Sequence, residues 1–187
     1  MKENQQPIST GSWNENISWE FFIGDEVPDP ALCTAVCCIT VFQEKLILVR
    51  NKRGWEFPAG KMESGESAET AIIREVGEET GALIESPKIF GYKKLTALQP
   101  VSKPDQPDAF YPFPHSYVVF FYAEAAEIKQ TELAEDALEI KLASLSEAQE
   151  LLEPKAKYKN MLEFLSGQGL IKCQKHPLPF ENFPVLY

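Results

Sequence analysis

The chain has 187 residues, 44% hydrophobic and 25% charged, a composition that suits one compact domain with a sizeable core. A net charge of -10 and an isoelectric point near 4.8 argue against a nonspecific nucleic-acid or membrane surface. No apolar run approaches the roughly 20 residues that span a bilayer, and the polar start MKENQQPIST lacks a signal-peptide core, so a cytoplasmic location is expected.

Residues 1–12 read as a flexible start. Trp13, Ile17, Trp19, Phe21 and Phe22 then supply apolar surface for a strand laid on the body of the domain. Core packing is the favoured role for these aromatics, and contact with a partner or a second copy, as in a homodimer, is the sharper alternative. Pro28 and Pro30 break the chain before a Val/Ile/Cys-rich strand over 34–42, which the turn Gln43-Glu44 joins to a second strand over 45–50. Trp55-Glu56-Phe57 is a short strand feeding Pro58-Ala59-Gly60, where small residues let the backbone approach a ligand closely. Cys33, Cys37, Cys38 and Cys173 have no paired CxxC spacing, so buried reduced thiols are expected in place of a zinc site or disulfides.

A helix is predicted over 67–80, stopped by Gly81. Glu75, Glu78 and Glu79 then stand at i, i+3 and i+4 and share one small site. Like charges at these spacings each cost roughly 0.2–0.5 kcal/mol. The negative end of the helix dipole also disfavours anions in the last two turns. Such a cluster calls for a cation. With no His or Cys beside it, Mg²⁺ is the first choice and Mn²⁺ the second. Ala68, Ala71 and Ile72 fall on the same stripe as the three glutamates, so the carboxylate face is expected to turn inward.

Residues 84–98 read as one or two strands, 117–123 as a long apolar strand and 138–142 as another. Between the first two lies QPVSKPDQPDAFYPFPH, a Pro-rich loop over 99–115 of a length that is usually functional. In it, Phe110, Tyr111 and Phe113 offer rings to stack on a nucleobase, and Lys103 or His115 a partner for phosphate or ribose. A stiff surface loop that tucks away its own aromatics is the competing reading. Helices over 146–153 and about 155–166 close the chain before an extended tail over 174–187. Strands interrupted by one helix and finished by two make a mixed α/β sandwich.

The segment GKMESGESAETAIIREVGEETGAL resembles the Nudix box, G-x5-E-x7-R-E-U-x-E-E-x-G-U, at Gly60, Glu66, Arg74, Glu75, Val76, Glu78, Glu79 and Gly81. Ala82 departs from the final aliphatic position. The resemblance implies a single Nudix domain over 1–187, an α/β/α sandwich with a mixed sheet and a catalytic loop-helix-loop. It implies Mg²⁺ ligands at Glu75, Glu78, Glu79 and the backbone carbonyl of Ala59, with Arg74 orienting the acids and Glu66 bracing the loop. The implied reaction is hydrolysis of a nucleoside diphosphate linked to another moiety, such as an NTP or dNTP, ADP-ribose or an NADH-like dinucleotide, with RNA 5′ ends also admitted.

Residues 112–116 resemble part of the SQPWPFPxS signature of NADH pyrophosphatases, matching at PFPxS, with Tyr111 where that signature has Trp and no zinc ribbon. A Nudix reaction needs a base for the attacking water. Glu78 and Glu79 are candidates inside the box, and Glu135, chosen from Glu132, Glu135 and Glu139, is the candidate outside it. Arg50, Lys52, Arg53 and Lys61 flank the site in sequence and offset part of its negative field, with Arg53 counted among the substrate contacts; simple surface charge is the plainer reading of all four. The rival from another class is a catalytically silent Nudix-fold nucleotide-binding regulator, which has no need of three mutually repelling glutamates.

Overall fold

Residues 6–27, 29–103, 106–129, 137–152 and 158–171 are described by a computed structural model, with 106–110 described for the backbone alone. In chain order the strands are β1 (Ser9–Asn14), β2 (Ile17–Ile23), β3 (Cys33–Phe42), β4 (Lys45–Asn51), β5 (Gly54–Glu56) and β6 (Ala59–Lys61). Helix α1 (Ala68–Thr80) follows, then β7 (Ala82–Ile84), β8 (Lys88–Ala97), β9 (Ser102–Lys103), β10 (Gln106–Phe110), β11 (His115–Ile128) and β12 (Glu139–Ala143), and finally α2 (Leu145–Leu152) and α3 (Lys159–Gly167).

Alternation at period two decides the layers. Strand β3 sends Cys37, Ile39 and Val41 to one core and Val36 and Cys38 to another. Strand β4 divides Leu46 and Leu48 from Ile47, and β11 divides Phe120 and Tyr122 from Val119, Phe121 and Ala123. Leu145, Ala148 and Leu152 of α2, with Met161, Leu162 and Leu165 of α3, close the first core. Ala71, Ile72 and Val76 of α1 close the second. The result is the expected α/β/α sandwich.

The main sheet runs β1-β2-β8-β11-β3-β4-β12, with β5 on β4, β6 on β3 and β7 on β11. Strands β11 and β3 are parallel, and the other pairs are antiparallel. The pairing of β3 with β6 matters most for function, because it carries residues 59–61 beside α1.

Expectations are corrected at two places, the first strands and residues 99–115. Residues 9–12, read as flexible, belong to β1, whose register with β2 runs from Ser9 opposite Phe21 to Asn14 opposite Ile17. Gly11 permits this contact, since a Cβ there would strike the Trp19 ring. Trp19 in turn lies under the buried Lys93, 4.4 Å from its centroid. Phe21 is fully buried as expected, but Trp13 is 54% exposed and is no part of the core. The second correction concerns 99–115, which is no structureless loop. Strands β9 and β10 form a two-stranded ribbon within it.

Cys37 and Cys38 are buried reduced thiols and Cys33 a half-buried one, with burial pushing the Cys33 thiol up to about 11. Cys173 and the tail over 174–187 lie outside the described residues. Among the described residues no helix is long and apolar enough to cross a membrane.

Candidate functional site

Helix α1 begins and ends on local signals. The Ser67 hydroxyl caps it by accepting the Thr70 N–H at 3.1 Å. At the other end Gly81 takes a left-handed conformation, φ 69°, and its N–H reaches the Gly77 carbonyl. No basic residue stands in the last turn, so the acids do sit at the negative end of the dipole. Burying Ile72 and Val76 contributes roughly 1.5–3 kcal/mol each, more than the like-charge cost, so the apolar stripe sets the rotation of the helix.

That rotation separates the three glutamates. At about 100° per residue, Glu79 and Glu75 lie about 60° and 100° around the helix from Val76, and Glu78 about 160°. Glu75 is accordingly 13% exposed and Glu78 56% exposed. The expectation that all three carboxylates face inward together is corrected for Glu78.

Arg74 is the centre of the cluster. Its Nε and Nη2 form a fork on the Glu66 carboxylate at 3.0 Å each, and Nη1 donates to Glu75 Oε1 at 2.9 Å and Glu78 Oε2 at 3.1 Å. Nη2 also donates to the Lys61 carbonyl at 3.1 Å, which ties the helix to the end of β6. Glu66 accepts the Glu63 N–H at 2.9 Å as well, so one carboxylate fastens both the turn and the guanidinium. These bonds hold the Glu66 carboxyl below the usual range, Arg74 first and the Glu63 amide second. Glu75 goes the other way. Burial raises its pKa against the pull of Arg74. One guanidinium among three carboxylates leaves a net negative charge at the site.

Glu79 reaches the strand. Its Oε2 accepts the Ala59 N–H at 2.9 Å. The bonds Cys38 N–H to Pro58 carbonyl and Met62 N–H to Thr34 carbonyl mark the bonded positions of the β3–β6 ladder, so Ala59, opposite Cys37, is a non-bonded position. Its carbonyl therefore points off the ladder, as a cation ligand must. Next to it, a Cβ on Gly60 would fall on the Glu75 carboxylate, so any other residue there would push that side chain aside.

The donors Glu75, Glu79 and the Ala59 carbonyl are all hard oxygens around a half-buried carboxylate that lacks full compensation, and they fit Mg²⁺ or Mn²⁺ in kind. Among the described residues no three acidic, His or Cys side chains converge as a finished cage, because Arg74 draws Glu75 and Glu78 to itself.

Beside this cluster lies a cleft of about 790 Å³. Glu63, Glu66, Arg74 and Glu75 line it together with Lys61, Lys103, Tyr111 and Pro112. It adjoins an apolar pocket of about 180 Å³ through the shared residues Thr34, Lys61, Tyr111 and Pro112. Of the expected substrate contacts, Tyr111 and Phe113 line this pocket. His115 and Arg53 do not join them. His115 shares a hydrogen bond of 3.1 Å with Thr96 across β8 and β11, and Arg53, 74% exposed, pairs with Glu56 at 3.0 Å. The side chain of Phe110 and all of Glu135 and Glu132 lie outside the described residues. The sequence reading missed Trp13 and Ile17 as pocket walls. Their apolar spacing was visible, but which face of β1 and β2 they occupy depends on pairing with β8.

Comparison with known proteins agrees with this geometry. The NUDIX domain family matches residues 31–165. The chain is 45% identical over 67 residues to the Bacillus subtilis protein named "Putative 8-oxo-dGTP diphosphatase YtkD", and 45% identical over 56 residues to the Nudix hydrolase YvcI of the same organism. These matches cover 35% and 29% of this chain and 42% and 35% of those relatives. Among solved structures, a mutant of the Bacillus subtilis pyrophosphohydrolase BsRppH superposes with a TM-score of 0.65 at 22% identity, covering 88% of this chain and all of that one, 100%. A C. elegans Ap4A hydrolase complex gives 0.52 at 17% identity, over 73% of this chain and 98% of that one. With the box residues on a loop-helix-loop against β6 and the family matched over most of its length, the chain belongs to the Nudix family.

Proposed function

We propose that the protein is a pyrophosphohydrolase that cleaves a phosphoanhydride in a nucleoside diphosphate linked to another moiety, with Mg²⁺, or Mn²⁺ in its place, held by Glu75, Glu79 and the Ala59 carbonyl. The observation that carries this reading is the Arg74-centred set of carboxylates lining a cleft that two lysines, Lys61 and Lys103, also line. When bound, the cation neutralises phosphoryl oxygens and makes water a better nucleophile.

The protein's own residues do the rest. Arg74 and Glu66 keep the acids in register, and Lys61 and Lys103, which also line the cleft, meet the phosphate oxygens. Water attacks one phosphorus, its proton passes to a glutamate, and the bond to the leaving phosphate oxygen breaks. Of the box carboxylates, Glu78 is the one open to solvent and is assigned as that base, with Glu135 its rival from outside the box. Substrates in this class include dNTPs, as the name of YtkD suggests, RNA 5′ ends, ADP-ribose and NADH-like dinucleotides.

Incubation with nucleoside triphosphates, ADP-ribose, NADH, dinucleoside polyphosphates and triphosphorylated RNA, with and without Mg²⁺, tests this. Metal-dependent release of phosphate products from at least one is expected, and Glu79→Gln should lower turnover by orders of magnitude with the fold intact. Binding without turnover across the whole panel would instead support a silent regulator.

A further inference from the structure

We infer that the hairpin of β1 and β2, which precedes the family-matched residues 31–165, walls a nucleobase pocket that grips the base by stacking and does not read its edges. This rests on the phosphoanhydride reading above.

The pocket of about 180 Å³ shares Lys61 and Tyr111 with the acidic cleft, so a group seated in it lies next to phosphates in the cleft. Its walls come from segments about a hundred residues apart in the chain. Trp13 and Ile17 belong to the hairpin, and Tyr111 and Phe113 to the segment after the ribbon. Trp13 and Phe113 are each about half exposed, 54% and 51%, which leaves large apolar rings without cover where a ligand would provide it. The polar side chains on its lining are those of Thr34, Lys61, Tyr111 and Ser116; the Thr34 hydroxyl already donates to the Tyr117 carbonyl at 3.3 Å, and Ser116 is buried. Such walls offer little to hydrogen-bond a particular base edge, whereas every base has a π face to stack. An apolar site discriminates among ligands of similar shape only modestly. Aromatic and proline walls also suit a flat ring better than a flexible prenyl chain. The hairpin thus adds base affinity to the family core with little base preference.

The full chain can be titrated with AMP, GMP, CMP and UMP, which carry a base but no phosphoanhydride, and with inorganic phosphate and geranyl diphosphate, while tryptophan fluorescence is followed. All of the monophosphates should quench with Kd values within about tenfold of one another, inorganic phosphate should not, and Trp13→Leu should abolish the quench. In turnover of the best triphosphate, Trp13→Leu and Tyr111→Leu should each raise KM by about tenfold or more with kcat little changed. The inference is overturned by a quench that survives Trp13→Leu, by no quench at all, by one base preferred more than about 100-fold, or by geranyl diphosphate binding more tightly than AMP. Quenching by monophosphates without hydrolysis of any polyphosphate would keep the pocket and sink the phosphoanhydride reading instead.

Discussion

Replacing Arg74 by Ala strikes the most connected side chain of the site. The guanidinium holds Glu66, whose side chain is 9% exposed, by a two-pronged fork, and Glu75, 13% exposed, by a single bond. Hydrogen bonds to charged groups contribute roughly 1.5–3 kcal/mol, and the carboxylates left behind would be half-buried and uncompensated, so the fork and the Glu75 bond together come to about 3–5 kcal/mol. The bond to Glu78, 56% exposed, adds nothing to that sum. This is a large share of a domain stability of about 5–15 kcal/mol. Urea unfolding near neutral pH, at low salt and without divalent cations, measures it. Arg74→Lys should recover less than half, because an ammonium cannot fork onto Glu66 and also reach Glu75 and the Lys61 carbonyl. A loss below about 1 kcal/mol, or full recovery by lysine, would refute the idea that this network holds the loop to the helix.

Burial raises the Glu75 pKa above its unfolded value, so its stabilising contribution is present at low pH and lost as pH rises through the folded value. Glu75→Gln is therefore expected to leave the Tm near neutral pH unchanged or higher while abolishing most turnover. The same variant should lose most of the Mg²⁺-induced rise in stability, about 2.7 kcal/mol for wild type at a hundred times Kd; an undiminished rise would remove Glu75 from the ligand set. Glu66 has the opposite sign. Its lowered pKa gives stability that is present above the unfolded pKa of about 4.3 and lost as pH falls through the folded value, so Glu66→Gln should destabilise near neutral pH and match wild type in strong acid. Gly60→Ala drives a methyl group into the Glu75 carboxylate and should cost about 1–3 kcal/mol and most of the activity; a variant as active as wild type would show that Glu75 moves aside freely.

Much of this site was readable before any fold was known. Ser67 and Gly81 mark the helix ends through their own side-chain and backbone chemistry, and both are observed as caps. The turn Gln43-Glu44 joins two strands as expected, with both residues in the left-handed conformation. The family pattern gave Arg74 the role of orienting the acids. It could not show that Arg74 would also take Glu66 and the Lys61 carbonyl, because those bonds depend on β6 pairing with β3 and the turn folding back over the helix. Inward-facing character was assigned to all three glutamates from a stripe too wide to resolve Glu78, which the packed core turns to the outside.

Local order in the chain determined the chemistry: a capped helix whose periodicity gathers anions, a glycine before it, and a family pattern that names what such a group of acids does. Tertiary structure alone decided what surrounds that chemistry. Trp13 and Tyr111 meet at one pocket only because β2 pairs with β8 and β8 with β11, and His115 is drawn to Thr96 by the same pairing. The physical reason is one of range. A helix turn or a two-residue hairpin fixes neighbours a few residues apart, but the partner of an edge strand is chosen by the burial of the whole sheet.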